Sequence, residues 1–226
     1  MENFRIYLQR IRMKKSALSL ILIVSAAAGL CSAQDMEIST EKTKTLGYVS
    51  TAVLEFSPEY MDTICEILCD LDNYNDWALT GLNGKDEVSK EYIGILDALN
   101  YSGPDSLMDM KYSVNLPWPF RSSGKSLFMT PNVVADEHIT SVKFVFQENS
   151  GAIKSGTVIF SVIKKDDATA VLEVWGAIKL AWYFDIFVTD KTYKKSVEVK
   201  VLQIAKNLIN YGQAQYAEAL LQVDKS

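Results

Sequence analysis

The chain has 226 residues, with 23 Lys+Arg against 28 Asp+Glu, one His, three Cys, 48% hydrophobic residues, 11 Gly and 5 Pro. That balance excludes a disordered chain, a collagen-like repeat and a disulfide-built scaffold. Beyond residue 33, 18 basic residues face 27 acidic ones over about 190 positions, which suits one acidic domain with a sizeable core and argues against a nucleic-acid partner.

Residues 1–33 have the three parts of an export signal. A basic stretch ends at Arg12-Met13-Lys14-Lys15, an apolar run extends from Ala17 to Leu30, and small residues follow. Met13 is a second candidate start, because Met-Lys-Lys-Ser is a typical bacterial opening. Ala33 suits the position before cleavage, with Cys31 at the other small-residue site. The apolar run of about 14 residues falls short of the roughly 20 needed to cross a bilayer, so a signal cleaved after Ala33 is expected, and with it a periplasmic or secreted protein. An uncleaved anchor and lipid attachment at Cys31 are the alternatives, the latter disfavoured by the bulk of Leu30.

Residues 34–45 are polar and irregular and read as a linker to a domain over 46–222. From Leu46 to Phe56, Tyr48, Ala52, Leu54 and Phe56 alternate with Val49, Thr51 and Glu55, the period of a half-buried strand. Ser57-Pro58-Glu59 then offers an oxygen-bearing cap, a proline where no amide donor is required and an acid in the positive first turn of a helix. Met61, Ile64, Cys65 and Leu68 form that helix's buried stripe. Cys65 and Cys69 share one helical face, where a disulfide would be strained, and read as small buried hydrophobes. A second helical turn spans Asn73 to Ala78, ended by Gly81 and Gly84.

Strands are expected near Val88–Leu96, Leu107–Asn115, Lys125–Asn132, His138–Gln147, Lys154–Lys164 and Thr169–Trp182. Turn signals at Tyr101-Ser102-Gly103-Pro104, Glu148-Asn149-Ser150-Gly151 and Lys165-Asp166-Asp167 separate some of them. Six strands on short connections predict an antiparallel meander. Tyr193, Val197, Val201, Ile204, Leu208 and Tyr211 then recur at helical spacing, predicting one long helix from Thr189 to Leu221 that buries its apolar face against the sheet.

Two stretches carry a resemblance. Ile67-Leu68-Cys69-Asp70-Leu71-Asp72-Asn73-Tyr74-Asn75-Asp76-Trp77 looks like an Asp, Asn-Tyr, Trp pattern following a first helix, and Leu116-Pro117-Trp118-Pro119-Phe120 looks like a Trp-Pro bend. With the element order, they make the chain resemble START-like lipid-binding domains of the SRPBCC superfamily. That resemblance implies an α+β helix-grip fold: a curved antiparallel sheet, of one N-terminal strand, two short helices and six strands, wrapped around a long C-terminal helix. Two departures stand out. Arg121-Ser122-Ser123-Gly124-Lys125 occupies the place where bacterial relatives carry an Asp-Arg-Asp-like run, which puts an interior charged pair in doubt. Asn75 stands where proline is common.

Such a fold leaves a space between sheet and helix, filled either by side chains or by an apolar ligand. Alternation places Met108, Met110, Tyr112 and Val114 on one face of a strand, Val142, Phe144 and Phe146 on another, and Val158, Phe160 and Val162 on a third, with Phe128 between them. Opposite them stand Val197, Val201 and Ile204 of the helix, and Tyr112, Trp175 and Trp182 offer rings with polar handles. Glu173 and Lys179 share a face with Trp175, and a solvated outer face accounts for them more simply than an interior one.

Chemistry of other kinds finds little support. His138, beside Asp136 and Glu137, is the only histidine and reads as a turn residue, and no nucleophile elbow occurs. Ser123-Gly124-Lys125-Ser126 imitates the end of a phosphate loop, but Pro119 stands where its first glycine belongs. Asp70, Asp72 and Asp76 imitate a calcium loop, yet Tyr74, Asn75 and Gly81 occupy its third ligand, turn and closing positions. Hence no catalytic set, metal or cofactor is expected. Lys191, Lys194, Lys195, Lys200 and Lys206 make the start of the last helix basic; a solvated face is the simpler account, and transient contact with anionic head groups the other. The reading is an exported binding protein for a lipid or other hydrophobic small molecule. An enzyme of the cyclase or hydrolase type on the same scaffold, and an interaction protein with a filled core, are the alternatives.

Overall fold

The computed structural model describes residues 36–82, 94–114, 121–136, 139–148, 151–186 and 188–223. The export-signal segment, the strand start at Val88, the Leu116–Phe120 bend and His138 lie outside them. Eight strands form one antiparallel sheet in the order β1-β2-β8-β7-β6-β5-β4-β3. They are β1 (Met36–Thr43), β2 (Gly47–Phe56), β3 (Gly94–Ser102), β4 (Leu107–Val114), β5 (Ser122–Ala135), β6 (Ile139–Phe146), β7 (Ile153–Lys164) and β8 (Ala170–Leu180). Between β2 and β3 lie α1 (Met61–Cys69) and α2 (Tyr74–Trp77), and after β8 come α3 (Trp182–Asp185) and α4 (Asp190–Val223).

The meander from β3 to β8 and the long terminal helix match the expected α+β helix grip. Three details of the sequence reading change. The segment read as a linker is strand β1, paired with β2 from Met36↔Leu54 to Thr43↔Gly47. Apolar alternation misses it because six of its eight residues are polar or charged, and two of its cross-strand pairs are hydroxyl bonds, Ser39 Oγ to Thr51 Oγ1 at 2.8 Å and Thr40 Oγ1 to Ser50 Oγ at 3.0 Å. Gly47 closes the hairpin at φ +78°, and a Cβ there would lie 2.5 Å from the Ile178 carbonyl oxygen. Second, β3, described from Gly94, runs through Tyr101 and Ser102, so the turn starts only at Gly103. Third, β8 ends at Leu180, and Trp182 opens α3 instead of closing a strand.

Ser57 departs from its expected role, because its side chain makes no cap hydrogen bond. Its carbonyl instead accepts from the Tyr60 amide at 3.2 Å, so Pro58–Tyr60 forms a 3₁₀ turn before α1. The expected stripe of α1 holds: Ile64 and Leu68 are fully buried, with Met61 and Cys65 packed beside them. Cys65 and Cys69 are free thiols, and burial pushes the Cys69 thiol up to about 11. Tyr74, buried in α2, donates its hydroxyl to the Leu68 carbonyl at 2.6 Å, which ties the two short helices together.

Helix α4 packs on β1, β2 and β8 near one end and on α1 near the other. Gly212 permits that second approach, since a Cβ there would meet Ile64 Cγ1 at 2.4 Å. Gly212→Ala gains helix propensity worth about 1 kcal/mol but forces this contact apart, and a net loss of roughly 1–3 kcal/mol is expected. Denaturant unfolding of G212A, I64A and the double variant checks it, because Ile64→Ala removes the clashing atom and the two losses should sum to more than the double variant's. Asn207 makes a second tie between α4 and the α2 region. Its Nδ2 donates to the carbonyls of Ala78 (3.2 Å) and Thr80 (2.8 Å), and Gln203 Nε2 donates to its Oδ1 (2.9 Å).

Candidate functional site

Register alone arranges the inner face of the sheet in rows. One row runs Thr40, Ser50, Gly176, Val158, Phe144 and Pro131 across six strands. The row on one side carries Ala52, Val174, Phe160 and Val142. On the other side, Tyr48 pairs with Ile178 and Ile178 with Gly156, over which the Phe146 ring lies close enough that a Cβ would meet it at 2.5 Å. The row through Gly176 is therefore the one built of small residues at its centre. Within 4 Å, a Cβ on Gly176 would find only Val158 Cγ2 at 3.6 Å and the Thr157 oxygen at 4.0 Å among the described residues, and no atom of α4.

The expected lining residues separate into three groups. Met108, Tyr112, Phe144, Phe146 and Phe160 are buried in the main core, and Met110, Val201 and Ile204 are half-buried against it. Val197 joins a smaller cluster of Tyr48, Val188 and Tyr193, beside Ile178 and Leu180. Phe128, Trp175 and Trp182 do not face the interior. Phe128 pairs with Asp109 on the opposite side of β5 from the buried Leu127 and Met129, and is 37% exposed. Trp175 shares the outer face of β8 with Glu173, and Trp182 is 76% exposed on α3. For Phe128 and Trp175 the reason is the two-residue period, which puts neighbours of inward residues outside; for Trp182 it is the early end of β8.

Interior polar groups were harder to see in sequence. Ser50 and Ser196 are 4% and 7% exposed. Lys200 is half-buried on the α4 face that also carries Tyr193, Ser196, Ile204 and Asn207, and its Nζ donates to Ser196 Oγ at 2.9 Å and to the Ser196 carbonyl at 3.3 Å. Burial pushes the Lys200 ammonium down to about 8, because a charge removed from water is disfavoured unless its surroundings repay the lost hydration. The signal was present in the helical spacing: Lys200 lies seven residues after Tyr193, on the same stripe. A lysine is ordinarily assigned to solvent, which conceals it.

At the sheet end near the start of α4, a groove of about 740 Å³ is lined by Lys42, Lys44, Lys154, Lys179, Tyr48 and Tyr183, with Trp182 at its edge. Tyr48 in its lining stacks on Tyr193, at 3.7 Å between centroids with 14° between planes. The Tyr48 hydroxyl donates to Asp190 Oδ1 at 2.9 Å, and Lys42 bridges Asp185 (2.9 Å) and Asp190 (3.6 Å). The Asp185 carboxylate holds the Lys42 ammonium above the ordinary lysine range. Tyr193 carries a buried hydroxyl without a partner among the described residues, and burial raises it well above the ordinary phenol range.

Neither a protein-family model nor a curated protein matches the chain. Solved structures do: human STARD10 aligns with 84% of this chain and 78% of its own, at TM-score 0.50 and 8% identity. The fold is the START-type helix grip. A START superfamily protein from Mycobacterium smegmatis aligns with 75% of this chain and 99% of its own (TM-score 0.49, 14% identity). An aromatase/cyclase from a Streptomyces species aligns with 79% and 94% (TM-score 0.42, 11% identity). At such identities the likeness concerns architecture, and the START-like scaffold is one on which different sites are built.

Proposed function

We propose that the chain is an exported binding protein for a hydrophobic small molecule, a lipid among the candidates, held between the inner face of the sheet and α4. One observation carries this reading. Val158 and Ile178 point inward from the sheet, and Val197, Val201 and Ile204 face it from the helix, yet all five remain half-buried. Side chains at the centre of a close-packed core lose their accessible surface. Residual surface on facing interior positions, around a glycine whose Cβ position has no described helix atom within 4 Å, is what a space open to a guest would leave.

Tyr193 to Lys200 covers about 10 Å of helix at 1.5 Å per residue, and Tyr48 to Ala52 about 13 Å of strand. Tyr193 stacks on Tyr48, so Lys200 lies about two helical turns beyond the point where α4 meets β2, on the stripe that carries Ser196. Apolar surface of the guest gains about 25 cal/mol per Å² on leaving water, while Lys200 and the nearby serine hydroxyls orient its polar end. Mass spectrometry of organic extracts from protein purified gently from its native compartment is expected to return a bound amphiphile above background. An empty extract, together with no thermal shift across a panel of lipids, would count against the proposal.

The enzyme reading has one observation in its favour, a half-buried amine held near neutral pH, where acid–base work is most effective. It predicts turnover that disappears in Lys200→Met while ligand still binds. A binding protein instead loses affinity.

A further inference from the structure

Three of the large apolar side chains left in water gather at one end of the fold. Trp182 is 76% exposed and Ile186 67% exposed, four residues apart on and just after α3, and Leu46 is 49% exposed in the β1–β2 hairpin. The groove beside them is lined by Lys42, Lys44, Lys154 and Lys179. Lys42 is occupied by Asp185 and Asp190, and Lys179 Nζ reaches the Thr45 carbonyl at 3.4 Å, which links β8 to the hairpin that carries Leu46 and Lys44. Just beyond, the first turns of α4 expose Lys191, Lys194 and Lys195. Asp185 and Asp190 are thus both engaged by Lys42, and Glu198 pairs with Lys194 at 3.8 Å, while Lys44, Lys154 and Lys179 line the groove.

One long segment of the body is charged in the opposite sense. From Leu46 through Leu82 the chain has seven acidic residues and no Lys or Arg. A protein whose net charge is acidic but whose basic residues surround its exposed Trp and Ile has a directional field, attracting anionic surfaces to that end and repelling them elsewhere. Tryptophan is at home where apolar and aqueous phases meet, and lysines add attraction wherever the surface is anionic. Among the described residues no helix is long and apolar enough to cross a membrane, so contact by this end is peripheral.

We propose that this end, with Trp182, Ile186 and Leu46 as its apolar contact and Lys44, Lys154 and Lys179 as its charged ring, docks on an anionic lipid surface. The groove between them then opens at the lipid headgroups. Docking does not require the interior ligand proposed above, so either can fail without the other.

The test uses the full-length protein with vesicles of phosphatidylcholine alone and with 30% phosphatidylglycerol, some carrying lipids brominated on their acyl chains. Trp182 emission is read as the difference between the protein and Trp182→Phe, because the apolar segment near the N-terminus can bind lipid on its own and does not report at this position. The difference emission should shift to the blue and be quenched by brominated lipid on anionic vesicles. Partitioning measured by that signal should fall about 100-fold or more when Lys44, Lys154 and Lys179 are all changed to Glu. It should fall similarly on neutral vesicles and between 50 and 500 mM salt. Unquenched Trp182, or quenching equal on neutral and anionic vesicles, overturns the proposal. Binding of an acidic polypeptide to the same lysines with no response to vesicles also overturns it, assigning the end to a protein partner. Unchanged circular dichroism of the triple variant keeps loss of signal from being loss of fold.

Discussion

Lys200→Met is expected to stabilise the protein at pH 7 by roughly 1–3 kcal/mol while weakening ligand binding at least tenfold. The folded-state ammonium is pushed down to about 8 from an ordinary value of 10.5, so at neutral pH the fold carries a charge it disfavours, and removing that charge relieves the cost. The pH dependence gives the sign independently. Between pH 8 and 10.5 the unfolded chain binds a proton at this position that the folded chain has released, so stability rises with pH across that window. Below pH 8 the full cost is present. K200M lacks this increment, and urea unfolding of both proteins at pH 7, 9 and 10.5 should show their difference shrinking as pH rises. Taking the difference cancels Tyr48, Tyr112 and Tyr193, which burial raises above 10 in both. If K200M were less stable at pH 7, with a gap independent of pH, Lys200 would be a structural donor to Ser196 and not a strained interior charge.

Gly176→Leu is the second large effect, and its two readouts should diverge. In a filled core, adding a leucine to an inward-facing glycine costs several kcal/mol through overpacking. Here the first added carbon meets only ordinary van der Waals distances, 3.6 Å to Val158 Cγ2 and 4.0 Å to the Thr157 oxygen. Replacing a strand glycine also recovers backbone entropy and packing, so stability should change by less than about 1 kcal/mol. The added volume stands on the inner face beside Ser50 and Val158, and amphiphile recovered in extracts should fall about tenfold or more. Gly156→Leu is the contrast, because its first carbon would enter the Phe146 ring at 2.5 Å; a loss of several kcal/mol is expected there. Equal destabilisation by both substitutions would mean that the row through Gly176 is as tightly filled as its neighbour.

Much of the architecture was legible because its signals are local. Ile64 and Leu68 one turn apart, the alternation of Tyr48, Ala52, Leu54 and Phe56, and the repeat from Tyr193 to Leu208 each report a buried face within one element. β1 escaped because its pairing is recorded in hydroxyl ladders to β2, and such polar alternation looks like a linker until the partner strand is known. The apolar rows of β4, β6 and β7 face the core as their alternation predicts, whereas Phe128 does not, because a strand with apolar residues at Leu127, Phe128 and Met129 does not state which parity points inward. Only pairing of Met108 with Met129 and of Met110 with Leu127 decides it.

The order of elements, the amphipathic faces and the acidic balance belong to the sequence by itself, since each follows from residue spacing or composition within a window of one element. The tertiary structure decided which neighbours those faces acquired. It set Gly176 beside Ser50 on the inner face of the sheet, turned Lys200 from an expected surface lysine into a half-buried one, and brought Leu46, Trp182 and Lys154 to one end from three separate stretches of chain. These are properties of contacts between distant segments, and burial of charge and space for a guest arise only when such segments meet.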